Sequence, residues 1–158
     1  MTNKKVLIYQ DYGCSDLSNL EKGLREYFVL SNLTIDYTDA ADILKNNALN
    51  SNVTLFVMPG GAATPYLQKL KTFGNEKIRN YVANGGNYLG ICAGAYYACS
   101  QVEFEIDIPQ TAIIRNADLL NLIDASAIGT LYKELSIRPY MKSEESAAAR
   151  GLFLKPDT

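Results

Sequence analysis

Apolar residues fall into short unbroken runs separated by stretches with helical spacing, and that alternation sets the expected fold. The run Val6-Leu7-Ile8-Tyr9, closed by Asp11-Tyr12-Gly13, predicts a buried first strand that opens into a loop. Ser18-Asn19-Leu20-Glu21 has capping-box spacing, and Leu17, Leu20, Leu24 and Phe28 share one helical face. Leu33-Thr34-Ile35-Asp36-Tyr37 alternates as a second strand should. A short helix over 40–49 follows, with Thr38 or Asp39 available as its cap.

Val53-Thr54-Leu55-Phe56-Val57-Met58 is the strongest strand signal, and it breaks on Pro59-Gly60-Gly61. An amphipathic helix is expected over 75–83, with Ile78, Tyr81 and Val82 facing inward and Gly85-Gly86 as its stop. Asn87-Tyr88-Leu89-Gly90-Ile91 reads as the next strand and 92–100 as the helix behind it. Alternating strands and helices predict an α/β fold with a doubly wound parallel sheet. Right-handed crossovers would gather Asp11, Gly60 and Cys92 beyond the carboxyl ends of their strands.

The rhythm weakens after Glu105. Residues 111–115 read as a strand, 118–123 as a helical turn, 140–149 as polar and small, and 150–154 as one more strand. No repeat or low-complexity tract interrupts the chain. At 158 residues it is most simply one domain, 1–158, long enough to bury a core. It stops just past the last strand and reads as cut short at the C-terminus.

Composition removes several classes. A net charge of −2 offers no basic field for nucleic acid or anionic lipid. No stretch approaches the length of a membrane span, and Met1 leads straight into a strand without a signal segment. Three cysteines form no CxxC pair, and the sequence holds no histidine, so neither a disulfide scaffold nor zinc is expected. The expectation is a cytoplasmic protein with no metal and no cofactor. A small-molecule ligand, a homo-oligomer or a partner subunit all remain compatible with it.

The main candidate chemistry is Gly90-Ile91-Cys92-Ala93-Gly94. A G-x-nucleophile-x-G turn holds one side chain on a sharp strand-to-helix corner. The helix behind it directs free N–H groups and a positive dipole end at the sulfur. Such surroundings lower a thiol pKa from about 8.5 to roughly 3.5–7.5. A cysteine here could equally be a small hydrophobe packed in a tight βα turn. Cys14 and Cys99 lack this context and read as packing residues.

Pro59-Gly60-Gly61-Ala62 is either an oxyanion loop or a turn that needs positive φ. Glu103 and Glu105 flank Phe104 and read as a solvated strand face, with Glu103 a weaker candidate partner for the thiol. Asp11, Tyr12, Tyr96 and Tyr97 are candidate pocket-lining residues.

The motif from Met58-Pro59-Gly60-Gly61-Ala62 through Ile78-Arg79-Asn80-Tyr81-Val82 and Gly85-Gly86-Asn87-Tyr88-Leu89-Gly90-Ile91-Cys92-Ala93-Gly94-Ala95-Tyr96-Tyr97 to Val102-Glu103-Phe104-Glu105 resembles the amino-terminal domain of biotin protein ligase. That domain lies in the class I glutamine-amidotransferase-like superfamily. The resemblance covers 4–105 and returns faintly over 140–154, at Ser143-Glu144 and Ala149-Arg150. It implies a flavodoxin-like sheet, Cys92 as nucleophile, and backbone donors at Gly60, Gly61 and Ala93 for an oxyanion.

The superfamily's base is a histidine after a later strand, oriented by an acid, and this chain has none. Glutamine-hydrolysing members read G-x-C-x-G-x-Q, whereas Tyr96 stands at the Gln position here. A competent glutaminase or biotin ligase is therefore not expected of this chain alone. Three explanations follow: an incomplete or decayed product, a binding or regulatory domain that keeps the elbow as scaffold, or a site completed by another chain. The functional expectation is a small-molecule-binding or regulatory module. Its rivals are a cysteine-dependent hydrolase or amidase, using Cys92 with Glu103 or Asp11, and a redox-sensitive thiol.

Overall fold

The computed structural model describes residues 4–107 and 112–129. Strands β1 (Lys5–Tyr9), β2 (Thr34–Thr38), β3 (Val53–Met58) and β4 (Asn87–Gly90) form one sheet in the order β2-β1-β3-β4. Every neighbouring pair in it is parallel. The order reverses between β1 and β3, which is the switch point where α/β sheets open a crevice beyond the strand carboxyl ends.

The apolar run of β1 divides by parity, because successive side chains leave a strand on opposite faces. Val6 and Ile8 meet Val57, Leu17, Leu20 and Leu24 of helix α1 (Leu17–Tyr27), and Phe28 at its C-cap. Leu7 and Tyr9 join Phe56 and Met58 on the other face. Helices α2 (Ala40–Lys45), α3 (Ala63–Ala83) and α4 (Ala93–Ala98) cover that second face with Ile43, Tyr66, Leu70, Ile78 and Tyr97. Burying each of these side chains contributes about 1.5–3 kcal/mol, and burial on both faces is why β1 and β3 lack polar alternation. The doubly wound α/β sheet expected from the pattern is what the chain forms.

Directly after α4, β5 (Cys99–Phe104) starts a second sheet with β6 (Ile113–Arg115) and β7 (Ile123–Gly129), in the order β6-β5-β7. β6 pairs antiparallel and β7 parallel to β5. Among the described residues no helix is long and apolar enough to cross a membrane.

Several local expectations are corrected. Helix α1 begins at Leu17 with Asp16 as a left-handed N-cap, and no side-chain cap bond forms. Glu21 cannot complete the expected capping box because Arg25 and Tyr37 both hydrogen-bond its carboxylate. Helix α2 ends at Lys45 rather than 49, since Asn47 turns to φ 51°; its cap is Asp39, which accepts from the Asp42 N–H at 2.8 Å.

Helix α3 begins twelve residues ahead of the expected 75, with Pro65 in its first turn, where no N–H is needed, and a break at Lys71. Helix α4 stops at Ala98 because Cys99 pairs with Ile123. The helical turn expected over 118–123 is absent: Asp118 and Asn121 adopt positive φ, and Leu120 and Leu122 donate their N–H groups to Tyr97 and Ala98. Thr111, the 140–149 stretch and the strand expected over 150–154 lie outside the described residues.

Candidate functional site

The three loops beyond β1, β3 and β4 converge at one corner. Ser15 donates its N–H to the Gly60 carbonyl at 3.0 Å, and Ala62 donates to the Gly13 carbonyl at 2.8 Å. This pairs Cys14 with Gly61 as an isolated antiparallel bridge. Only glycine serves at position 61, because its φ is 127° and a Cβ would strike the Gly13 carbonyl oxygen. From below, the Tyr66 hydroxyl donates to the Gly60 carbonyl at 2.9 Å. Among the described residues these bonds occupy the carbonyl of Gly60 and the N–H of Ala62. The N–H groups of Gly60, Gly61 and Ala93 are not engaged in them.

Cys92 sits between β4 and α4 with φ 50° and ψ −111°, a conformation costly for a non-glycine residue by about 1–3 kcal/mol. The surroundings impose it. Ile91 donates its N–H to Met58 at 3.0 Å, and the Gly94 N–H is shared between Pro59 and Ile91 at 3.1 and 2.9 Å. The two sides of the corner are thereby tied to Met58 at the end of β3 and to Pro59 just beyond it, leaving Cys92 and Ala93 to make the turn. Its side chain is exposed, whereas Cys14 and Cys99 are half-buried. A Cβ added to Gly60 would stand 3.3 Å from the Cys92 Cβ, so the two glycine-rich corners touch.

Cys92 lines a pocket of about 130 Å³. Gly61, Ala93, Tyr96 and Arg115 share the lining, with Val102, Phe104 and Leu119 making it largely apolar. Tyr96 packs edge-on against Phe104 at 5.8 Å, and burial pushes its phenol above the ordinary range. Arg115 donates from Nη2 to the Thr64 hydroxyl at 2.9 Å. Desolvation draws its guanidinium below the usual arginine range, and the charge of Asp118 partly offsets this. Neither Arg115 nor Thr64 is singled out by the sequence pattern. Their place depends on the cross-strand register of Val102 with Arg115, which no local spacing encodes.

The other candidates are not gathered at the pocket. Asp11 turns to α2, accepting from the Ala40 N–H at 3.3 Å, with Lys69 at 3.6 Å and the Tyr9 hydroxyl at 3.4 Å. Tyr12 is 58% exposed on the loop beside it. Tyr97 is buried in the core, where its hydroxyl donates to Asn75. Glu103 lies between Val102 and Phe104 on β5; those neighbours face the pocket and Glu103 does not line it. Glu105, expected on a solvated face, is 1% exposed at φ 47°, and its N–H donates to Gly129.

Cys14 is a packing residue: its thiol donates to the Tyr9 carbonyl at 3.6 Å, and burial raises its pKa. Burial raises that of Cys99 as well.

The family model described as biotin-protein ligase, N terminal, matches residues 4–156. An uncharacterized protein of Chlamydia muridarum (strain MoPn / Nigg) is 33% identical over 106 residues, covering 66% of this chain and 41% of the relative. A biotin–protein ligase of Schizosaccharomyces pombe is 33% identical over 103 residues, covering 64% of this chain and 16% of the ligase. The chain thus spans less than half the length of either. Among solved structures, a candidate peptidase E protein of Listeria monocytogenes EGD-e superposes with a TM-score of 0.57 at 24% identity. The overlap covers 78% of this chain and 65% of that one. The shared fold is the class I glutamine-amidotransferase-like one.

Proposed function

The chain belongs to the biotin-protein ligase N-terminal family, and from that premise we propose that it is a small-molecule-binding or regulatory domain whose ligand site is the pocket at Cys92. One observation carries the reading. The corner holds the sulfur in a strained conformation on the wall of a largely apolar pocket, while the chain contains no histidine to act on it. Positioned acid–base help is worth about 10²–10⁴-fold in such chemistry, and neither Glu103 nor Asp11 faces the pocket to supply it. Binding needs only the shape, the apolar walls and a few polar groups, all of which are present.

A second reading is a cysteine-dependent hydrolase or amidase. The proximity of the Gly60–Gly61 loop to Cys92 favours it, since backbone N–H groups there could stabilise an oxyanion. The Cys92 thiolate would add to the acyl carbon, and the C–N bond would break as the amine leaves with a proton from water. The hydroxide so formed would cleave the resulting thioester, releasing the acid and restoring the thiolate.

The test is a thermal-shift survey of small metabolites on the native chain and on chain carboxamidomethylated at Cys92, with product formation assayed in parallel. The binding reading expects a compound that raises the melting temperature by several degrees, loses that effect on the blocked protein, and is recovered unchanged. Equal stabilisation of the blocked protein would overturn the pocket assignment. Turnover that disappears in Cys92→Ser would replace binding with hydrolysis.

A further inference from the structure

Arg115 is the cationic residue of a pocket whose other walls are apolar or uncharged. Its strand, β6, is three residues long and is held against β5 by pairing of Val102 with Arg115. Thr64, buried in the first turn of α3, takes one guanidinium N–H at 2.9 Å. A guanidinium carries five N–H donors in a planar fork, so the Thr64 bond fixes the fork and leaves donors for a second acceptor. The nearby carboxylate, Asp118, lines a second cleft that Arg115 and Thr64 also border, and it does not line the Cys92 pocket. Among the described residues no carboxylate forms an ion pair with Arg115. A half-buried cation oriented by a neutral hydroxyl is an acceptor site for an anion.

We propose that the pocket takes a small carboxylate, with Arg115 as the residue that binds the carboxylate group and Cys92 on the wall beside the bound molecule. This rests on the ligand-site reading above and adds the chemical class of the ligand. The carboxylate accepts from the free edge of the guanidinium, and Val102, Phe104, Ile113 and Leu119 receive a short apolar body. A volume of about 130 Å³ is well below the ~300–1,000 Å³ of drug-sized sites. It suits a small acid or the acidic end of a longer one.

The test uses two matched pairs of alkylating probes: iodoacetate with iodoacetamide, and 3-bromopropionate with 3-bromopropionamide. In each reaction the Cys92 thiolate forms a bond to the halogen-bearing carbon, halide leaves with the bonding electrons, and the thiol proton goes to buffer. Rates are read on the Cys92-bearing peptide by mass spectrometry. The acid-to-amide ratio at one pH divides out the thiolate fraction.

For at least one pair the ratio at Cys92 should exceed that of N-acetylcysteine by about fivefold, the water-screened attraction of two unit charges at about 4 Å. It should fall to the N-acetylcysteine value in Arg115→Gln, persist in Arg115→Lys, and shrink as salt is raised. A ratio equal to that of N-acetylcysteine for both pairs in the native chain would overturn the carboxylate assignment. An unchanged ratio in a folded Arg115→Gln chain would do the same. Failure of the neutral amides to reach Cys92 at all is a different result, and it removes the ligand site itself.

Discussion

Gly94 rests its backbone directly on the carbonyl of Met58, and a Cβ at position 94 would collide with that oxygen. This contact brings α4 down onto β3 and sets the corner at which Cys92 turns. Because the obstructing atoms are backbone, neither side can yield, and Gly94→Ala should cost about 3 kcal/mol, the upper end of ordinary overpacking. Gly23 is the control: it lies in α1 with nothing near its missing Cβ, so Gly23→Ala should gain about 0.5–1 kcal/mol. Urea unfolding of the two variants beside the parent measures both signs.

Strain at Cys92 makes a second prediction. With φ 50° and ψ −111°, any L side chain carries the conformational penalty, and glycine does not. Cys92→Gly should therefore be more stable than Cys92→Ala by about 1 kcal/mol. The comparison removes the thiol from both proteins, so the difference in their unfolding midpoints reports the backbone alone. Equal stability would mean that the corner is unstrained.

Buried phenols set the alkaline limit of stability. Burial is the largest cause raising the pKa values of Tyr9, Tyr66, Tyr88 and Tyr97. Each stays protonated in the folded chain at pH values where an unfolded tyrosine, near pKa ~10, has ionised. Folding then favours the protonated form, so these groups contribute full stability below about pH 10 and lose it as pH rises towards their folded values. The melting temperature should hold to about pH 9 and fall above 10. Tyrosinate absorbance should rise in step with unfolding.

Asn75 is the brace behind the pocket. Its carboxamide accepts the Tyr97 hydroxyl and donates to the Asp118 carbonyl at 2.7 Å, in a site where it is itself buried. Asn75→Ala leaves two groups without partners and should cost about 2–3 kcal/mol. It should also speed amide exchange at Leu120, whose N–H bonds to the Tyr97 carbonyl. Hydrogen exchange by mass spectrometry separates this local loosening from global loss.

What the sequence reveals here follows the range of the interaction. β1 and β3 are legible because burial on both faces leaves an uninterrupted apolar run, and Gly85, at φ 91°, marks the end of α3. The convergence of Gly60 with Cys92 is legible too, since parallel topology stacks the loops that follow successive strands. The same logic sends Asp11 to this corner, but its carboxylate is engaged by the Ala40 N–H and Lys69 and does not line the pocket. Arg115 escapes a linear reading for the opposite reason. Its approach to Thr64 and the pocket depends on which residue of β5 pairs with it, and β6 is too short to show a pattern.

Which sulfur the folded chain presents decides whether the pocket is built around Cys92. Native protein treated with one equivalent of iodoacetamide near neutral pH, then mapped by peptide mass spectrometry, should carry the label at Cys92. Cys14 and Cys99 are half-buried with thiol pKa values raised by burial, so they should label only slowly until the pH is well above the ordinary thiol range. Label appearing first on Cys14 or Cys99, or reaching Cys92 only after unfolding, would contradict a pocket built around that corner.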